Sequence, residues 1–477
     1  MNAVVHAPQS RCRVGVARCD ITPPVGIYHR MWGAALHDRA TGVHRPLTAT
    51  ALCLNVGYSH SPFAVILSLD HCLLDGPTFA RIRQAATPSS DFEMSYVQVC
   101  LTHTHAAGLM SASREHLPGG ELIGPYLDEL VEMCGRLVRT AWATAQAATI
   151  VYGTGRCSLA AHRDFRDPIT GQYVCGFNPD GAADDTLLVA RIVADDGLTL
   201  GTVVNYACHP TTLGWQNTLI SPDYVGALRE VVERETESPC LFLQGASGDL
   251  GPREGFALEP EAADANGRQV GYAALAVLES LPPPRTKFVY AGPVVSGATL
   301  GTWRYESWEP DDSISIGSRR VDLPYRADLP TLAKTEDELA RWQAEEAEAL
   351  AAKDADRVRD CRAQAERMTR QIARLEALPP GGAFPYRFQK LELGDAFWLF
   401  CPGELYQVFQ TTLRSRFPDH PLIIATIADD WQPGYIPAAA AYGKGIYQET
   451  ISPLAAGSLE LLIEEVTRAI SELLAVR

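Results

Sequence analysis

The sequence predicts an α/β fold with mixed β-sheets, flanking helices and a site where strand ends converge. Three observations lead there. Short, nearly continuous apolar runs recur along the chain, in the pattern of strands buried on both faces. Amphipathic helical patterns lie between some of them, as in YLDELVEMCGRLVRTAWATA. Most runs also end in a turn-rich stretch that carries a polar residue capable of chemistry, which is how α/β sheets present sites at strand termini.

In chain order, the runs are FAVILSLD ending at Asp70, SYVQVCLTHTH with His103 and His105, and LGTVVNYACHP with His209. CLFLQGASGDLGP with Asp249 and AFWLFCPGE with Glu404 follow. A different texture begins near Thr335. The stretch 335–378 is rich in Ala, Glu, Arg and Leu and holds neither Gly nor Pro, which predicts one long helix or a helical hairpin breaking near Lys353-Asp354. It reads as a solvated scaffold or a contact for a second copy of the chain. Pro379-Pro380-Gly381-Gly382 then returns the chain to strand. A closing helix is expected over Leu459 to Leu474, with Leu459, Leu462, Ile463, Val466, Ile470 and Leu473 on one face. The 477 residues are read as one large domain, 1–477, with 335–378 inserted in it.

Composition narrows the function. The net charge of -16 argues against a nucleic-acid partner, because phosphate backbones are bound by basic faces. No P-loop is present, nor a G-x-G-x-x-G after a strand, so nucleotide cofactors lack their usual cradle. The N-terminal segment has no signal-peptide core and no later apolar run reaches membrane-spanning length, which leads to the expectation of a cytoplasmic protein without stable membrane insertion. Twelve cysteines scatter without a C-x-x-C pair and sit in strand-like runs, as buried free thiols would.

Several of these polar residues suit a metal. His103 and His105, two apart at a strand end, would project to one side and face one ion; a hydrogen-bonded histidine pair is the alternative. His209 precedes Pro210, which holds its backbone extended, and a structural role is the alternative there. Glu404 follows a very apolar strand, a costly place for a carboxylate unless a cation or a helix N-terminus balances it. Tyr435 in DDWQPGYIP would by itself pass for a core aromatic.

Taken together, these segments resemble the catalytic domain of the neutral/alkaline ceramidase family. VGVARCDITPPVG and TGVHRPLTATAL followed by VILSLD are similar to its first strands, THTHAAG and NYACHPT to its two histidine segments, PGELYQ to its glutamate segment, and GYIPAAAAYGKGIYQET to its closing tyrosine segment. The resemblance implies a zinc ion held by His103, His209, Glu404 and Tyr435. It further implies His105 as a proton shuttle, and Tyr447 with Arg163 as stabilisers of the developing oxyanion, Arg166 being the alternative to Arg163. The implied reaction is hydrolysis of the amide bond of a small N-acyl substrate by a zinc-bound water.

The chain departs from the family pattern at Gly251, which stands where the family has a serine, so a serine acyl-enzyme at that position is excluded. Asp249 is then expected to organise its loop or to orient His209. The chain also ends where family members add a C-terminal β-sandwich, which leaves the substrate open between ceramide and another amide. Two further readings stand beside the amidase: a catalytically silent metal-binding or sensor protein of the same fold, and a zinc esterase or lactonase.

Overall fold

The structure is a computed structural model, and it describes residues 3–55, 63–87 and 95–475. Its centre is an eight-stranded sheet in the order Cys240–Gln244, Thr199–Tyr206, Thr186–Ala194, Gln146–Arg156, Gln9–Asp20, Thr48–Asn55, Phe63–Leu69, Ser95–Leu101. The interior pairings are antiparallel, whereas the pair at each edge is parallel. A second sheet of four strands, Ile314–Pro324, Ala383–Leu393, Ala396–Cys401 and Leu422–Thr426, also ends in a parallel pair.

Alternation of side chains sorts the apolar runs into layers. Ala64 and Ile66 point into a core shared by the two sheets, together with Leu188, Ala190, Trp398 and Phe400. Their neighbours Val65, Leu67 and Leu69 face the helices Gly76–Ala85 and Ile123–Ala143 instead. Leu187 and Val189 face the helices Tyr224–Thr236 and Pro260–Ser280. On the far side of the second sheet, Phe397 and Leu399 meet the helices Val408–Arg416 and Ser458–Leu474. The result is four layers, helix, sheet, sheet, helix. Strands covered on both faces must be apolar at every position, which is why these runs do not alternate with polar residues.

The stretch 335–378 lies within two antiparallel helices, Leu332–Ala352 and Ala355–Ala377. Lys353 takes a left-handed conformation (φ 59°) at the break, and Asp354 caps the second helix by accepting from the Arg357 N–H. Most of the first helix is exposed. The second is docked through one face: Glu366 receives a bidentate pair from Arg114 (2.9 and 2.8 Å), a bond from Arg30 (3.0 Å) and one from Arg370 (2.6 Å). The hairpin is therefore more than a solvated scaffold, because its second helix walls a cavity next to the site described below. The closing helix buries Leu459, Leu462, Ile463, Val466 and Ile470, with Leu473 partly covered.

All twelve cysteines are free thiols, ten of them buried. No helix among the described residues is long and apolar enough to cross a membrane.

Candidate metal centre

Each of the three parallel pairs in the two large sheets delivers a polar side chain to one point, the loops beyond parallel-strand C-termini being where open α/β sheets bind ligands. His103 lies two residues beyond Ser95–Leu101, His209 three beyond Thr199–Tyr206, and Glu404 three beyond Ala396–Cys401. His103 Nε2 stands 3.2 Å from His209 Nε2, His209 Nε2 stands 2.9 Å from Glu404 Oε2, and His103 Nε2 stands 3.4 Å from the same oxygen. Both imidazoles are fully buried.

The other nitrogen of each ring determines what this triangle wants. His103 Nδ1 donates to the Cys72 carbonyl (2.9 Å) and His209 Nδ1 to the Ser247 carbonyl (2.7 Å). With the proton on Nδ1, each Nε2 presents a lone pair. Three atoms able to offer lone pairs thus converge on one point, where a cation, or a proton held between His103 and Glu404, offsets their mutual repulsion. Tetrahedral ligands about 2.0–2.1 Å from zinc lie about 3.3 Å apart, close to the observed separations. The donor set of two imidazoles and a carboxylate therefore fits a zinc-class ion.

The three groups are electrostatically linked: burial works against a charged His103, but Cys72 and Glu404 prevail and raise it well above the usual histidine range. Burial disfavours a charged Glu404, but His103 and His209 outweigh it and hold the carboxyl well below the usual carboxylate range. Burial, with Arg163 nearby, lowers His209 to about 4, so its imidazole is neutral at physiological pH.

The His103 backbone is held in place by its neighbours. The strand stops at Leu101, and His103 itself takes a left-handed φ of 68°, sparsely populated for any residue with a side chain. Neighbouring loops hold it there: the His103 N–H donates to the His71 carbonyl, and Thr102 Oγ1 donates to Asp70. Asp70 carries no free chemistry, because a bidentate Arg229 and the Thr48 N–H take up its oxygens.

The chain's departure from strand geometry also overturns the alternation expected of His103 and His105. His105 opens a 3-10 turn, and its ring stands perpendicular to that of His103 at 5.0 Å, against Trp32 at 4.9 Å. It lies 6.0 Å from the His209 ring, outside the triangle, and neither of its buried nitrogens has a hydrogen-bond partner. Burial, reinforced by His103 and His209, keeps His105 neutral by pushing its pKa well down. A second potential ligand group, Cys72 with His103 and His105, uses the other side of His103, where Nδ1 already serves the Cys72 carbonyl.

Tyr435 borders the triangle. Its ring is nearly parallel to that of His209 (6.4 Å, 23°), and the Arg163 guanidinium carbon stands 5.4 Å from its centroid. Arg163 is buried, bonds the Gly248 carbonyl at 2.7 Å and leaves Nε without a partner. Arg166 is exposed and bonds the Gly171 carbonyl, so of the two arginines Arg163 is the one beside Tyr435. Tyr447, 46% exposed, meets the Tyr435 ring edge-on at 5.9 Å and stands toward solvent.

Asp249 does not touch His209. Its carboxylate accepts from the Gln407 N–H (2.7 Å) and Gln407 Nε2 (3.0 Å), tying its loop to the segment that carries Glu404. Ser247 orients His209 instead, through its carbonyl and through Oγ at 3.2 Å. Ser247, Cys72 and Trp32 were not singled out from sequence. Cys72, and Ser247 in its shorter contact, act through backbone carbonyls that any residue supplies, and Trp32 comes from a segment that shares no motif with the histidines.

Four layers of helix and sheet around a buried histidine–carboxylate triangle define an α/β protein with a candidate metal centre at its parallel-strand termini. Over 254 residues, 50% of this chain, the sequence is 23% identical to the neutral ceramidase of Pseudomonas aeruginosa, the aligned segment spanning 37% of that protein. The crystal structure of that neutral ceramidase superposes with a TM-score of 0.63 at 16% identity, covering 97% of this chain and 74% of the other. A structure described as ceramidase complexed with C2 gives 0.63 at 15% identity over the same shares. No family model matches the sequence. The chain thus has the neutral ceramidase fold, and the resemblance drawn from its motifs extends over nearly the whole structure.

Proposed function

We propose that this protein is a zinc-dependent hydrolase that cleaves the amide bond of an N-acyl compound. The observation that carries the reading is the convergence of three acceptor atoms, His103 Nε2, His209 Nε2 and Glu404 Oε2, within 2.9–3.4 Å of one another. Tyr435, beside His209, is the proposed fourth ligand. When bound, the cation supplies Lewis acidity, polarising the scissile carbonyl and making water acidic enough to act as nucleophile near neutral pH.

The chain's residues provide the rest. His105, neutral and with both nitrogens unpartnered, accepts the proton of the attacking water and returns one to the departing amine. Arg163 and Tyr447, both against Tyr435, stabilise negative charge developing on the carbonyl oxygen. Trp32 packs against the His105 ring at 4.9 Å and fixes its position beside the triangle. The presence of a proton carrier and oxyanion partners around the ligand triangle favours an enzyme over a silent binder.

The test is metal analysis of the purified protein with a hydrolysis screen of N-acyl amides and matched esters, repeated on His103→Ala. One equivalent of zinc, and amide turnover abolished with the metal in the variant, is the expected result. A metal-free wild type without turnover sinks the proposal, and turnover of esters alone moves the reading to an esterase.

A further inference from the structure

A cavity of about 580 Å³ lies between the docked helix Ala355–Ala377, the segment after Phe63–Leu69 and the turn that leads to Tyr435. Leu73, Leu109, Met110, Ile372 and Trp431 give it apolar walls suited to an acyl chain. One wall, however, is cationic. Arg114 and Arg370 line it, and together with Arg30 they share a single buried carboxylate, Glu366. Asp38 stands 3.7 Å from Arg30 but is also engaged by Arg362 at 2.8 Å.

Arg374, one turn further along the same helix, has no carboxylate at all within ion-pair distance among the described residues. Its Nε and Nη2 share one neutral acceptor, Gln371 Oε1, at 3.2 and 2.7 Å. The acidic residues of the cavity do not serve it: Asp75 accepts from the Thr78 N–H, Asp430 from the Gln432 N–H, and Glu376 is exposed. Burial without a counter-ion lowers Arg374 to about 10, and Tyr447 and Glu404 are near enough to act on its charge. The guanidinium thus lines the same cavity as Trp431 and Gln432, in the turn that leads to Tyr435.

We propose that Arg374 is a specificity-determining residue that receives a carboxylate of the substrate, making the substrate class acidic N-acyl compounds rather than neutral lipid amides. The inference rests on the hydrolase reading above. A planar guanidinium with free N–H groups takes a carboxylate in two parallel hydrogen bonds, and an apolar surround strengthens them. The carboxylate has two possible sources, the amine half, as in an N-acyl amino acid, or the far end of a dicarboxylic acyl chain.

The experiment compares N-dodecanoylglycine with N-dodecanoylglycinamide, and the N-methyl monoamide of dodecanedioic acid with N-methyldodecanamide, on wild type, Arg374→Gln and Arg374→Lys. Wild type is expected to prefer the acid in one of the two pairs by kcat/KM. Arg374→Gln is expected to reduce that preference roughly ten- to a hundredfold, the range for a charge-assisted hydrogen bond, with part of it retained by Arg374→Lys. An acid-to-neutral ratio unchanged in Arg374→Gln, or a wild type that prefers neutral amides, overturns the proposal. Calorimetric binding of the same four compounds separates the two readings. If nothing is hydrolysed but the acid still binds more tightly in an Arg374-dependent way, the anion site stands and the hydrolase fails. Equal binding by wild type and Arg374→Gln overturns the anion site.

Discussion

Glu404 and Tyr435 are direct partners in a two-residue parallel ladder, with the Glu404 N–H donating to the Gly434 carbonyl at 2.8 Å. Partnered residues in a ladder project to the same side, so backbone pairing alone sets the carboxylate and the phenol next to each other. Substitutions at and beside this centre test its chemistry.

The clearest case is His105. Its nitrogens lie outside the triangle of His103, His209 and Glu404, so His105→Ala should keep the wild-type metal content. Turnover should fall by about 10²–10⁴, the usual contribution of a positioned proton carrier. Metal analysis and steady-state rates on one preparation check both parts; a variant that loses its metal would make His105 a ligand.

Gly251 gives the converse test. A Cβ placed there meets only Thr211 Oγ1 at 3.8 Å and Arg163 Cδ at 3.9 Å, which are ordinary contacts. Gly251→Ser should fold with a stability change below about 1 kcal/mol. Because the proposed route needs no side-chain nucleophile, turnover should stay within roughly threefold of wild type. Thermal melting and a rate assay decide it, and a large gain in rate would revive a serine nucleophile at that position.

Glu366 predicts a pH dependence. Burial works against its charge, but Arg370 and Arg114 prevail and lower its pKa from 4.5 to about 2. A carboxyl whose folded pKa is depressed stabilises the protein fully above its unfolded pKa, and this contribution drains away as pH falls from about 4.5 toward 2. The shift corresponds to something on the order of 3 kcal/mol. Glu366→Gln should be less stable at pH 7, leaving three arginines without their shared partner, and should lose less stability than wild type on acidification. Urea unfolding at pH 7, 5 and 3 reads this directly; parallel curves for the two proteins would rule it out.

Much of the framework was legible in the residues themselves. The apolar runs form the expected strands because burial on both faces demands unbroken hydrophobicity, and the helical stretch breaks where Lys353 and Asp354 can turn and cap. Less visible were the partners of the polar residues. Asp70 and Asp249 end similar runs, yet Arg229 takes up the first and Gln407 the second. Both partners come from remote segments, and no local pattern marks the pairing.

By itself the sequence determined which segments are strands and helices, and which polar side chains stand at their ends, because propensity and periodicity act over a few neighbouring residues. The tertiary structure alone decided that His103 and His209 share one ion-sized space with Glu404, that His105 stands beside that space rather than in it, and that Arg374 of the hairpin opens onto the adjoining cavity. Those relations depend on strand order and on the left-handed turn at His103. Both are properties of the packed whole, in which distant segments supply each other's hydrogen bonds and counter-charges.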